Sequence, residues 1–189
     1  MQKDRYIDFI DTYSAGFKKD IFLEIRGYDT EFPVACAEDV ELSFRLSKKG
    51  HKMVFNPAAV VYHIHPYRLK DYLKKKYKFA YWRIVAVKKN PGKIIKDSHT
   101  PQVMKLQVLF PPAVLGSGLL AIAYNSLMPF LFLFIFAFIL TTIPFAVRTG
   151  KKDLMVGLMS PAFLFLRSLF QFLGILGGIT YIFKSSFSK

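Results

Sequence analysis

The chain has 189 residues, enough for one ordinary domain or for a small domain plus a membrane part. Hydrophobic residues make up 52%, Phe alone numbers 20, and the formal net charge is +14, a combination that excludes a uniformly mixed soluble surface and favours segregated zones. Its single cysteine, Cys36, excludes an internal disulfide and agrees with a reducing compartment; a lone Cys most often serves as a small buried hydrophobe.

The charges divide the chain into three zones. From Met1 to Tyr67 nine basic residues face ten acidic ones; from Arg68 to Lys105 twelve basic residues face two acids, Asp71 and Asp97; from Leu106 to Val147 there is no charge at all. The start, Met1-Gln2-Lys3-Asp4-Arg5, is too charged for a signal peptide, so the balanced zone is expected to stay on the cytoplasmic side.

In chain order, Asp11 to Phe17 reads as a short strand or turn. Lys18 to Arg26 reads as a short amphipathic helix with Ile21, Phe22 and Ile25 on one face, ended by Gly27. Tyr28 to Pro33 is a loop, since Pro33 biases Phe32 away from helix.

The stretch Glu38-Asp39-Val40-Glu41-Leu42-Ser43-Phe44-Arg45-Leu46 then carries two readings. Val40, Leu42, Phe44 and Leu46 alternate as in a strand. Yet Val40/Phe44 and Leu42/Leu46 are also i,i+4 pairs, acids stand at the head and Lys48-Lys49 at the tail, and Gly50 is a natural C′ residue. These features favour a helix. Its leading carboxylates suit either a fixed general base or a plain N-cap.

Lys52 to Phe55 reads as a strand, Asn56-Pro57 as a turn, and Ala59 to Ile64 as a second strand rich in β-branched and aromatic residues. In a strand His63 and His65 would point to one side. Two such residues form an ordinary strand-end pair unless further ligands join them.

From Tyr67 to Lys89 the pattern is helical. Leu69, Leu73, Tyr77, Ala80, Ile84 and Val87 make one stripe, and Lys70, Lys74, Lys75, Lys78 and Lys88 lie mostly off it. Such a helix suits an anionic membrane surface. Basic residues among aromatics also occur in nucleic-acid binders, but the apolar zone that follows favours membrane lipids as partner and no nucleic acid. Asn90-Pro91-Gly92 breaks the helix.

Leu106 to Val147 suffices for two membrane helices of ~20 residues each. Tyr124-Asn125-Ser126 places the turn, giving a hairpin of about 107–124 and 127–147. Lys105 and Arg148-Lys151-Lys152 flank it, so both ends are expected inside and the tip outside. Leu154 to Phe183 is a third spanning or re-entrant segment, with Arg167 expected to pack inward or sit near the interface. Lys184 and Lys189 favour a cytoplasmic C-terminus, whereas a single span would place it outside.

The ordered series from Ser14 to about Arg83 resembles the C-terminal half of a family 2 glycosyltransferase catalytic domain (GT-A fold) of the bacterial, membrane-attached type. Ser14-Ala15-Gly16-Phe17-Lys18-Lys19-Asp20-Ile21-Phe22 is similar to that family's small-residue strand and following helix. Ile25-Arg26-Gly27-Tyr28-Asp29-Thr30-Glu31-Phe32 is similar to its Gly-Gly-Phe-Asp-Glu loop, with Arg26 in place of the first glycine and Thr30 in place of the Glu. Glu38-Asp39 with the run to Leu46 and Lys49-Gly50-His51 matches its Glu-Asp helix, and Asn56-Pro57-Ala58-Ala59-Val60-Val61-Tyr62-His63 its strand ending in His.

The resemblance implies an α/β fold, a partial GT-A unit, followed by an α-helical transmembrane region. The corresponding organisation is 1–66 for the catalytic part, 67–105 for a basic interfacial helix and linker, 106–147 for the hairpin and 148–189 for the third segment. It implies that Asp39 is the general base, with Glu38 supporting it. Gly27, Tyr28 and Asp29 would line the acceptor side, and His63 or His65 would face the diphosphate or its metal. It implies a nucleotide-sugar donor, a lipid-linked or envelope glycan acceptor, and a divalent metal, Mg or Mn. The family's Asp-x-Asp metal motif is absent from this chain, and Asp8 and Asp11 have the wrong spacing for it. The expectation is therefore the back half of an inverting enzyme at the inner membrane, inactive alone or completed by a companion chain. A non-enzymatic membrane anchor that keeps a remnant of the fold is the alternative.

Overall fold

The structure is a computed structural model and describes residues 6–7, 9–33, 35–91 and 100–187. The charged start Met1–Arg5, Asp8, Gly92, Asp97 and Lys189 lie outside the described residues. Two compact units emerge: residues 1–100 with 175–189, and residues 101–174.

The first unit is built around α2 (Glu38–Lys48). Its strand-like alternation has a helical explanation. Val40 and Phe44 face one core, with Phe32, Ala37, Val85 and Ala86. Leu42 and Leu46 face a second core, with Ile25 and Met53. A helix buried on two sides carries two i,i+4 apolar pairs, which in linear sequence look like alternation. Complete burial of each such side chain contributes roughly 1.5–3 kcal/mol before entropy is counted.

The end of α2 is closed as its sequence demands. Gly50 takes φ +79°. The amide of His51 donates to the Leu46 carbonyl and that of Gly50 to the Ser47 carbonyl, both at 3.1 Å. This is a Schellman closure. At the other end the N-cap is Ala37, left-handed at φ 70° and without a side-chain cap. The carboxylates therefore sit inside the first turn at the first two helical positions, and the N-cap reading of them does not hold.

Before α2, residues 11–14 form a turn and bend, and α1 (Lys19–Glu24) is a short helix. Ser43, buried in α2, accepts from the Ile10 amide at 2.9 Å and donates to the Asp39 carbonyl at 2.7 Å. This ties the N-terminal segment to the head of the helix.

Strand content is small among the described residues. β1 (Tyr6–Ile7) pairs antiparallel with β2 (Met53–Val54), in register Tyr6 with Val54 and Ile7 with Met53. The strand expected from Ala59 to Ile64 does not form. That segment is irregular and exposed, with Tyr62 and Ile64 almost wholly in solvent. β-branched composition favours extended backbone, but a strand also needs a paired edge. None adjoins it among the described residues. The described chain is mostly helical, and this sheet does not amount to the α/β GT-A fold expected from the sequence.

α3 (Leu69–Lys89) buries Leu73, Ala80, Val85 and Ala86, while Leu69 stays exposed. Val85 and Ala86 join the Val40–Phe44 core, and Tyr181 and Ile182 pack against it from the 175–187 part of α7 (Leu154–Phe187). The buried face is thus wider than one stripe and is covered by protein. Two helical glycines allow the approach. A Cβ at Gly178 would lie 2.5 Å from the Tyr81 carbonyl oxygen, and one at Gly177 would lie 2.6 Å from the Tyr77 hydroxyl.

In the second unit α4 (Gln102–Gln107) leads to α5 (Phe110–Ala123), a 3-10 turn spans Asn125–Leu127, and α6 (Met128–Gly150) follows. The turn falls where the polar triplet placed it. The third segment is helical throughout, in α7. Three helical stretches, Gln102–Ala123, Asn125–Gly150 and Leu154–Ser185, are long and apolar enough to cross a membrane. Arg167 is buried, and its Nη2 donates to Gln107 Oε1 at 2.5 Å. Gln107 Nε2 donates in turn to Thr141 Oγ1 at 3.1 Å. Of the two placements open to Arg167, packed inward or near the interface, the structure shows it buried.

Candidate active site

The head of α2 sets the site. Glu38 and Asp39 occupy its first turn, where the macrodipole favours negative charge. Asp39 is half-buried, and its Oδ1 accepts from the Val40 amide at 2.8 Å. Its carboxyl is pushed up to about 6, first by burial, then by the neighbouring charge of Glu38 and more weakly by Asp11. The Val40 and Thr12 amides pull it the other way. Such a carboxyl is ionised at neutral pH yet retains appreciable basicity, which suits proton abstraction from a hydroxyl.

Glu38 lines a cavity of about 470 Å³, together with Thr12, Tyr28, Asp29 and Phe32. Burial and the charges of Asp39 and Glu38 raise the Tyr28 phenol above its ordinary value. Tyr28 therefore stays protonated and able to donate. Burial pushes the Asp29 carboxyl up, but the hydrogen bond from Lys89, the Glu31 amide and the charges of Lys89 and Arg45 outweigh it and lower the pKa. Lys89, at the end of α3, pairs with Asp29 and lies 2.6 Å from Glu31. The cavity thus has one carboxylate from α2, Glu38, and an aromatic and acidic wall at the 28–33 loop; Asp39, the next residue on α2, is not among its lining residues.

Gly27 is not among the cavity's lining residues; it shapes the loop's entry. Arg26 and Gly27 both take left-handed φ, 62° and 61°. A Cβ at Gly27 would also meet Phe22 Cε1 at 3.1 Å. Two further loop features escaped the sequence reading, the Lys89 pairing and a contact from Arg45. The Glu41/Arg45 i,i+4 spacing was the available signal for the second.

His63 and His65 come together, with ring centroids 4.9 Å apart, and His63 meets Tyr13 in a tilted contact with centroids 4.0 Å apart. Both are exposed and neither lines the cavity. Among the described residues no three Asp, Glu, His or Cys side chains gather closely enough to hold a cation. Glu38, Asp39 and the histidine pair do not by themselves make a metal site. Cys36 is half-buried, and burial followed by the charge of Glu38 pushes its thiol up to about 11. It is a protonated packing residue rather than a nucleophile.

The model of the glycosyl transferase family group 2 matches residues 9–175. No curated protein and no solved structure matches the chain.

Proposed function

From the premise that the chain belongs to the glycosyl transferase family group 2, we propose that it forms the acceptor-side and membrane-anchoring part of an inverting glycosyltransferase. The family implies a nucleotide-sugar donor and an acceptor. The observation that carries the finer reading is Asp39, a half-buried carboxyl raised to about 6 and next on α2 to Glu38, which lines the cavity with Tyr28 and Asp29.

In this reading the acceptor hydroxyl enters the cavity and gives its proton to Asp39. Its oxygen bonds to the anomeric carbon as the bond from that carbon to the diphosphate oxygen breaks. The nucleotide diphosphate leaves with the electron pair, and the configuration inverts. Glu38 keeps Asp39 basic by adding negative charge. Tyr28 and Asp29 orient the acceptor. Family members commonly use a divalent cation to steady the leaving diphosphate. Here its ligands and the partial GT-A sheet are read as completed by a nucleotide-binding unit that joins this one.

The three apolar helices support membrane attachment. Lys105, Arg148, Lys151 and Lys152 flank the α5–α6 hairpin, and its tip carries no charge, which supports a cytoplasmic catalytic side. The apolar face of α3 is covered by protein, so its exposed lysines, Lys70, Lys74, Lys75 and Lys78, are what it offers to anionic headgroups. The acceptor is read as a lipid-linked or envelope glycan at the inner membrane.

The test is transfer of radiolabelled sugar from a panel of UDP- and GDP-sugars into lipid-extractable or glycan product. Membranes bearing the chain would be assayed with and without a co-expressed nucleotide-binding unit of the same family. Product that depends on the chain supports the proposal. No product with any donor in either preparation contradicts it and favours a non-enzymatic anchor.

A further inference from the structure

Arg45 lies one turn beyond Glu41 on α2, and its guanidinium is engaged on every side. Nε donates to both carboxylate oxygens of Glu41 at 2.8 Å. Nη1 donates to the carbonyl oxygen of Ile25 at 2.5 Å, and Nη2 to that of Gly27 at 2.7 Å. The Glu41 side chain is almost wholly buried, and most of Arg45 is covered too.

The two carbonyls bracket Arg26 and Gly27, which are consecutive left-handed residues. Left-handed backbone at a residue with a Cβ costs about 1–2 kcal/mol. Arg26 therefore needs external support to hold this turn. A planar guanidinium can engage both carbonyls and the Glu41 carboxylate at once, which a lysine ammonium cannot do with the same geometry. The same turn delivers Tyr28 and Asp29 to the cavity, and α2 carries Asp39 and Glu38.

We infer that Arg45, held by Glu41, is a positioning residue that fixes the 25–31 loop against α2 and so sets the acceptor wall of the cavity relative to Asp39. Its catalytic consequence rests on the glycosyltransferase reading above; its structural consequence does not. The loop has reporters of its own: the amides of Arg26 and Gly27 bond the carbonyls of Leu23 and Phe22, and that of Phe32 bonds the Asp29 carbonyl.

The test is Arg45→Lys in the full chain, purified in lipid nanodiscs and compared with wild type by amide hydrogen exchange and by transfer kinetics. Exchange at 26–32 should accelerate about tenfold, the order expected when a charge-assisted hydrogen bond is lost. Exchange within α2 and at His51 should stay unchanged. In membranes with measurable transfer, the KM for acceptor should rise about tenfold, the same loss expressed in binding, while the KM for donor holds. Wild-type exchange at 26–32 overturns the inference, as does equal acceleration along α2, which would make the contact a general stabiliser. A loosened loop with an unchanged acceptor KM also overturns it. A loosened loop in a protein without any transfer leaves the clamp standing and removes the glycosyltransferase reading instead.

Discussion

Asp39 accepts a hydrogen bond from the amide of Val40, the next residue on the helix, at 2.8 Å, yet its carboxyl still rises to about 6. Burial and the adjacent Glu38 outweigh that bond. The raised value has a thermodynamic consequence. Above its unfolded pKa the unfolded chain loses this proton while the fold still holds it, so stability falls as pH climbs from about 4 to about 6. Asp39→Asn removes the buried charge. The variant should gain on the order of 2 kcal/mol over wild type at pH 8, given ~1.4 kcal/mol per pKa unit. The gain should vanish at pH 4. Thermal unfolding of both proteins at the two pH values measures it.

Arg26 stands where the chain turns left-handed, at φ 62°. Glycine adopts this region without strain. Arg26→Gly should therefore stabilise the first unit by roughly 0.5–1 kcal/mol, the part of the strain left after the added freedom of the unfolded chain. Chemical denaturation should show a higher midpoint with an unchanged slope.

The two glycines that meet α3 should differ. A methyl at Gly178 meets the backbone carbonyl of Tyr81, which cannot move without shifting the helix; a methyl at Gly177 meets side chains only, the Tyr77 hydroxyl and the Tyr81 ring, which can turn about their own bonds. Gly178→Ala should destabilise by about 1–3 kcal/mol, the range for overpacking, and Gly177→Ala by clearly less. Paired thermal melts of the two variants compare them.

In the second unit the Arg167–Gln107–Thr141 chain joins α4, α6 and α7 through hydrogen bonds in an apolar setting. Gln107→Leu removes the acceptor for Arg167 Nη2 and should weaken the helix bundle by about 1–2 kcal/mol. Thr141→Val keeps the Arg167 contact and should have a smaller effect. Unfolding in mixed micelles would rank the two.

Much of this was legible in the residues. The helix from Glu38, its Gly50 closure and the turn at Tyr124–Ser126 each follow from local signals: end charges, a left-handed glycine and a polar break. The strand at Ala59–Ile64 was misread because composition reports a residue's preference but not whether a partner edge exists. β1 is two residues long and pairs with Met53–Val54, far along the chain, so no periodicity announces it. Val85 and Ala86 are buried in the core that Val40 and Phe44 share and against which Tyr181 and Ile182 of α7 also pack, which a single-stripe reading of α3 cannot foresee. At the site, Tyr28, Asp29 and Glu38 of the ordered motifs line one cavity, whereas Gly27 and Asp39 do not. The Arg45 contacts were not, because they end on backbone carbonyls, which carry no sequence signature.

The central claim is that Asp39 takes the acceptor proton. Its most direct test is the rate of sugar transfer by Asp39→Asn against wild type from pH 5 to 8, in membranes where the variant is shown to fold. The account predicts a wild-type rate that climbs with pH through about 6 and then levels. It predicts a variant slower by about 10²–10⁴-fold, the usual contribution of a general base, with the rise at that pH gone. A variant within a few-fold of wild type, or one that keeps the same pH rise, would contradict it.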